Sequence, residues 1–232
     1  MIHGPGNPAK HRNLPLFDDY SIPMSQYFAI HPVTPQPRLV KRAVEILRSG
    51  GVIVYPTDSC YALGCRIGDK AAVERIARIR ETDKEHNFTL LCRDLSEISN
   101  YARVDNWAFR LLKAHTPGPY TFILPATGEV PKRLQNPKRK TIGIRVPEHP
   151  VAQALLGELG EPIMSSTLIL PGEELPMTEP EDMRERLEHQ VDLVIDGGNC
   201  GIEPTTVVVI DAGTVFIARQ GRGDPSVFET GH

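Results

Sequence analysis

The sequence predicts an α/β fold. Three observations carry that expectation: helical and strand-like segments alternate along most of the chain, the strand-like runs are short and apolar, and several of them end in clusters of small hydroxyl or basic side chains. The 232 residues, 40% of them hydrophobic, suit one large domain or two small ones. No internal repeat or long linker divides the chain, so one domain is expected.

Residues 1–23 are rich in Pro, Gly, Asn and His without periodicity and read as a disordered tail or a non-native leader. Patterned sequence begins at Met24, and the domain is expected over 24–225, with 226–232 a short C-terminal tail. From Arg38, "RLVKRAVEILRSGG" puts Leu39, Ala43, Val44 and Leu47 on one helical face and stops at Gly50 and Gly51. The strand "VIVYP" follows, then the helix "DKAAVERIARIR" with Val73, Ile76 and Ala77 inward, then the short strand "FTLLC". "VDNWAFRLLKAH" is a helix that Asp105 could cap, ended by "TPGP" before the strand "YTFILP".

The second half repeats the alternation. Strand "TIGIRVP" leads to helix "PVAQALLGELG", with Pro150 near its start and Gly160 at its end, and then to strand "PIMSST". Helix "PEDMRERLEHQ" and strands "VDLVID", "TTVVVID" and "TVFIAR" complete the series.

Composition excludes several classes. No run approaches the roughly 20 apolar residues of a membrane helix, and no apolar stretch of a signal peptide opens the chain, so a cytoplasmic protein without a membrane partner is expected. Cys60, Cys65, Cys92 and Cys200 lack paired C-x-x-C spacing, which points to reduced thiols and no cysteine metal site. A formal net charge of -3 argues against a wholly basic nucleic-acid binder but leaves a local basic patch open.

The polar strand ends hold the functional candidates. At "YPTDSCYALG", Thr57, Asp58 and Ser59 either hold a small polar ligand or make an ordinary turn by bonding nearby amides. Arg78 and Arg80 lie two positions apart, so they clamp one anion only if the helix ends there; the alternative is that they complement the helix dipole. Ser165, Ser166 and Thr167 interrupt an apolar run, Thr205 and Thr206 open a strand, and Arg219 closes one. In "PKRLQNPKRKTIGIR", Lys132, Arg133, Lys138, Arg139, Lys140 and Arg145 make either a phosphate-tracking surface or a solvated basic loop. A nucleophile elbow and a Walker loop are both missing.

Taken in order, "YPTDSCYALG", "RIR", "HNFTLLC", "TPGPYTFIL", "TIGIRVPEHP", "SSTLILPG", "DGG", "PTTVVVID" and "IARQG" resemble the YrdC-like family, most of all its YciO branch, over about residues 24–225. The resemblance implies a YrdC-like twisted mixed sheet with flanking helices around a large electropositive concave cavity. Active members are threonylcarbamoyl-AMP synthases, which join ATP, L-threonine and bicarbonate into threonylcarbamoyl-adenylate and pyrophosphate for transfer-RNA modification. Magnesium is expected with the ATP, and no permanent cofactor or protein metal site.

By that resemblance Arg78 and Arg80 are the catalytic candidates. Asn87, Arg145 and Arg219 would contact nucleotide or substrate anions, and Thr57, Tyr61, Thr121, Ser165, Thr167 and Thr206 would supply smaller polar contacts. The sequence departs from the synthases at three places: Arg78 stands where they carry Lys, Thr167-Leu168-Ile169 stands where they carry Ser-Ala-Asn, and the stretch after the arginines, "RETDKEHNF", is longer. Two functions therefore remain: a synthase-like nucleotide-binding enzyme with altered activity, or a module that uses the basic cavity and Lys132, Arg133, Lys138, Arg139 and Lys140 for double-stranded RNA or tRNA.

Overall fold

The computed structural model describes residues 24–81 and 88–228. The first half comprises β1 (Gln26–Ala29), α1 (Pro37–Arg48), β2 (Ile53–Tyr55), β3 (Ala62–Arg66), α2 (Lys70–Arg80), β4 (Thr89–Leu91), α3 (Leu95–Tyr101) and α4 (Asn106–His115). The second comprises β5 (Tyr120–Pro125), β6 (Thr141–Arg145), α5 (Pro150–Leu159), β7 (Ile163–Thr167), α6 (Pro180–Leu187), β8 (Leu193–Asp196), β9 (Thr206–Asp211) and β10 (Thr214–Arg219).

Local chemistry sets the helix boundaries. Asp69, Asp94 and Asp105 each accept a hydrogen bond from the amide three residues on, capping α2, α3 and α4 at about 1 kcal/mol apiece. Pro37 and Pro150 open α1 and α5, where a missing N–H costs nothing. Gly160 ends α5 at φ +76, and its amide bonds the Leu156 carbonyl.

All ten strands join one mixed sheet in the order β1-β8-β2-β3-β7-β4-β6-β5-β9-β10. Helices α1 and α5 pack against one face through Val40, Ala43, Val44, Leu47, Val151 and Leu155, meeting Ile53, Tyr55, Ile163 and Leu193. Helices α2, α3, α4 and α6 contribute to the core on the other side, with Val54, Leu63, Phe122, Met164 and Val208. Strand alternation sends Ile163 to one layer and Met164 to the other.

The layer under α1 and α5 includes residues of β2, β3, β4, β7 and β8 and none of β5, β6, β9 or β10. Two helices thus cover about half of a ten-stranded face. The uncovered half positions the site.

The predicted helices and strands form, with boundary shifts of a few residues. Strands β1 and β3 and helix α3 arise where no element is predicted. The packed chain also runs past the expected domain end at 225. Residues Pro225–Phe228 form a short 3-10 helix whose Phe228 ring meets Tyr120 at 5.2 Å and Phe122 at 6.2 Å between centroids, because an aromatic side chain there buries itself against β5. Among the described residues no helix is long and apolar enough to cross a membrane.

Candidate functional site

The uncovered sheet face is the floor of a cavity of about 620 Å³. Alternate strand residues project into it, such as Thr89 and Leu91 from β4, Thr121 and Ile123 from β5, and Val207 and Val209 from β9. Gly143 keeps the middle open: a Cβ there would sit 3.0 Å from Thr89 Oγ1 and 3.3 Å from Thr121 Cγ2. Arg80, Lys138, Arg139, Arg145 and Arg219 line the cavity, and among the described residues no Asp or Glu does. This cationic lining, in which the Arg145 charge is already met by Asp58 behind the wall, favours an anionic ligand.

The β2–β3 turn builds the hydroxyl end. Thr57 Oγ1 donates to the Cys60 carbonyl at 2.7 Å and accepts from the Ser59 and Cys60 amides, so the side chain both makes the turn and faces the cavity. Asp58 instead pairs with Arg145, whose Nη1 also donates to Ser59 Oγ at 3.0 Å. Arg145 is 5% exposed, and its Nε has no hydrogen-bond partner. That donor is a buried polar group left unsatisfied beside the cavity. Burial pushes the Cys60 thiol up to about 11, against the pull of Arg145, so it stays protonated at neutral pH.

Neighbouring strands supply further hydroxyls. Tyr55 donates to Ser165 Oγ at 2.7 Å, while Thr121 Oγ1 and Thr205 Oγ1 are 2.8 Å apart. Arg219 donates to the Thr205 carbonyl at 2.9 Å, and Arg80 reaches Ser166 Oγ and the Ile169 carbonyl. Burial lowers the pKa of both guanidiniums. A partly desolvated cation held by neutral partners is poised to meet an anion. Across the floor, Val207, Val209 and Phe216 make an apolar end that suits a planar ring.

Of the sequence candidates, Arg80, Thr57, Thr121, Arg145, Ser165, Thr167, Arg219, Lys138 and Arg139 converge on this cavity. Arg78, Tyr61 and Thr206 do not, nor do Lys132, Arg133 and Lys140 of the basic segment. Helix α2 runs through Arg80, so Arg78 points to solvent from another face, and the expected two-arginine clamp does not form. Tyr61 is fully buried, donating to the Gly198 carbonyl at 2.7 Å and accepting from the Gly197 amide. Thr206 is equally buried, donating to the Gly223 carbonyl at 2.5 Å and accepting from the Gly221 amide at 2.9 Å. Both fasten backbone.

Asn87 lies outside the described residues. In the basic segment, Asn136 Oδ1 accepts from the Lys138 and Arg139 amides and shapes the turn that carries them to the cavity. Arg133 donates to the Gly68 carbonyl at 2.6 Å, and Lys132 and Lys140 are exposed. Sequence reasoning missed Cys60, Asn136, Val207, Val209 and Phe216 as cavity residues and favoured Thr206 over Thr205. Among the described residues no group of three or more His, Cys, Asp or Glu is placed to hold a metal ion.

Comparison with known proteins places this geometry in context. The Sua5/YciO/YrdC family model, described as "Telomere recombination", matches residues 45–221. The "Uncharacterized protein YciO" of Escherichia coli strain K12 is 60% identical over 205 residues, 88% of this chain and 100% of that one. Its crystal structure superposes with a TM-score of 0.86 over the same shares. A threonylcarbamoyl-AMP synthase of Vibrio vulnificus strain YJ016 is 29% identical over 185 residues, 78% of this chain and 98% of its own length. P. abyssi Sua5, solved with L-threonine, shares the fold at a TM-score of 0.78 and 22% identity, over 85% of this chain and 58% of that one. The family model covers well over half of the chain and the 60% identical relative is covered along its whole length, so the chain belongs to the Sua5/YciO/YrdC family.

Proposed function

We propose that the chain is a threonylcarbamoyl-AMP synthase-like, nucleotide-binding protein. It would take ATP, as its magnesium complex, with L-threonine and bicarbonate, and form threonylcarbamoyl-adenylate and pyrophosphate. The observation that carries the reading is the cavity lining, which among the described residues holds five cations, no carboxylate, a band of hydroxyls and an apolar end. The name of the Vibrio relative and the L-threonine in P. abyssi Sua5 support the substrate class.

In this reading the threonine amine and bicarbonate give a carbamate with loss of water. A carbamate oxygen then attacks the α-phosphorus, the bond from that phosphorus to the bridging oxygen breaks, and pyrophosphate leaves with the electron pair. No side-chain nucleophile is required, so the residues act by orientation and charge. Val207, Val209 and Phe216 receive the base. Arg80, Arg139 and Arg219 meet the phosphates, and the Arg145 Nε with the Thr57 and Ser165 region meets the amino-acid end. In this reading magnesium enters on the phosphate oxygens as part of the substrate.

The test is mass-spectrometric detection of threonylcarbamoyl-adenylate from the purified chain given magnesium, ATP, threonine and bicarbonate, with Arg80→Ala as control. Product that depends on threonine and bicarbonate and is lost in the control supports the reading. A folded protein that binds ATP and forms no product would overturn it and bring RNA binding forward.

A further inference from the structure

A second cavity, of about 530 Å³, adjoins the first, with Thr57 lining both. Asp58 lines the second cavity and its partner Arg145 lines the first, so this ion pair stands in the wall between them. The second cavity belongs to the turn after β8, the loop into α5 and the segment after β10.

Its polar groups have a definite sense. His149 Nδ1 accepts from the Val151 amide at 3.3 Å, which leaves the ring proton of the neutral imidazole on Nε2. Asn199 commits its Oδ1 to the Gly201 amide at 2.8 Å, leaving its N–H groups as donors. Arg222 commits one nitrogen to a long 3.5 Å contact with the Cys200 carbonyl and keeps the rest of its fork. Against these three donors stands one buried acceptor without a partner, Asp58 Oδ2. Glu148 also lines the cavity, but it is exposed at the rim.

A ligand that engages both sides would offer negative oxygens to Arg222, His149 and Asn199 and one O–H to Asp58, whose Oδ2 is closed to solvent in the unliganded chain. Sulfate or chloride at neutral pH has no proton to give, and an amine would leave the three donors without an acceptor. We propose that the second cavity binds a small protonated oxyanion, of hydrogencarbonate or hydrogen phosphate chemistry, with Asp58 accepting its O–H. The site stands independently of the reading of the first cavity.

Phosphate, hydrogencarbonate and sulfate are titrated separately, at neutral pH and constant ionic strength, into the isotopically labelled full chain while the Asn199, Gly201 and Arg222 backbone amides are followed by NMR. Saturating shifts are expected with phosphate or hydrogencarbonate, and whichever saturates at lower concentration identifies the occupant. Sulfate should bind at least about tenfold more weakly, because a site built around a ligand hydroxyl rejects an analogue without one. Arg222→Gln, at an exposed side chain, should abolish the saturating shifts, whereas Arg219→Gln, which alters the first cavity, should keep them. Asp58→Asn should narrow the gap between sulfate and phosphate; should that variant not fold, the Arg222 comparison decides alone. Equal binding of sulfate and phosphate, no saturation with any anion, or unchanged binding in Arg222→Gln would each overturn the assignment.

Discussion

Arg145 and Asp58 form an ion pair whose side chains are only 7% and 12% exposed, and each ends with an unpartnered atom, Nε on one side and Oδ2 on the other. A buried pair is costly to desolvate and more costly to break. Arg145→Met or Asp58→Leu alone should therefore destabilise by about 3–5 kcal/mol, while the double variant should lose distinctly less. Urea denaturation of the four proteins measures the coupling. Additive losses would mean that the pair does not interact strongly in the folded chain.

Arg80 and Arg78 make a sharp contrast for ligand binding. Arg80 lines the cavity, whereas Arg78 is exposed on another face of α2. Loss of one charge-assisted contact costs about 1.5–3 kcal/mol, so Arg80→Ala should weaken ATP binding at least about tenfold. Arg78→Ala should stay within about twofold of the parent, as expected when no direct contact is lost. Calorimetric titration of ATP decides, and an equal loss in both variants would restore the two-arginine clamp.

The paired threonines at the start of β9 separate stability from binding. Thr206 Oγ1 bridges two backbone groups in a fully buried position, so Thr206→Val should cost about 1–3 kcal/mol of stability. Thr205 lines the cavity, and Thr205→Val should act on nucleotide affinity more than on the denaturation midpoint. Measuring both quantities for both variants checks the assignment.

That same pair shows what the sequence made legible. The helices from Pro37 and Pro150 carry caps, breakers and apolar spacing that agree with one another, so they were readable. "TTVVVID" has apolar β-branched residues at successive positions, and without alternation nothing in it tells which threonine faces the cavity. Strand β3, "ALGCR", was hidden by its small residues and by its entry straight from a polar turn. Helix α3 carries a signal of its own, Asp94 followed three residues later by Glu97. The cavity cations were visible as residue types, but their convergence depends on which half of the sheet α1 and α5 leave bare, a tertiary property.

Burial lowers the pKa of His115 and of His149. Unfolded histidine protonates near pH 6.5, so below that pH the unfolded chain binds more protons than the folded one. This contribution to stability is fully present above about pH 6.5 and is lost as the pH falls towards the lowered folded values. His149→Asn, which keeps an N-cap acceptor, should flatten the decline between about pH 7 and pH 5. Denaturation midpoints across that range test the sign, and a decline no shallower in the variant would contradict it.

Ile169 places an apolar side chain in the cavity wall beside Arg80. Its carbonyl receives Arg80, its amide donates to the Thr167 carbonyl at 3.0 Å, and its side chain lines the cavity. The backbone therefore fixes the position, and only the side chain withholds hydrogen bonds from whatever lies beside Arg80. An asparagine there would add both a donor and an acceptor without changing the turn. A net hydrogen bond is worth about 0.5–1.5 kcal/mol, so Ile169→Asn should raise ATP affinity roughly three- to tenfold and raise threonylcarbamoyl-adenylate formation with it. The two readouts are informative together. Tighter ATP binding with more product would show that the apolar group limits a synthase site. Weaker ATP binding in a folded variant would contradict the prediction and show that Ile169 makes a packing contact that this chain's own ligand uses.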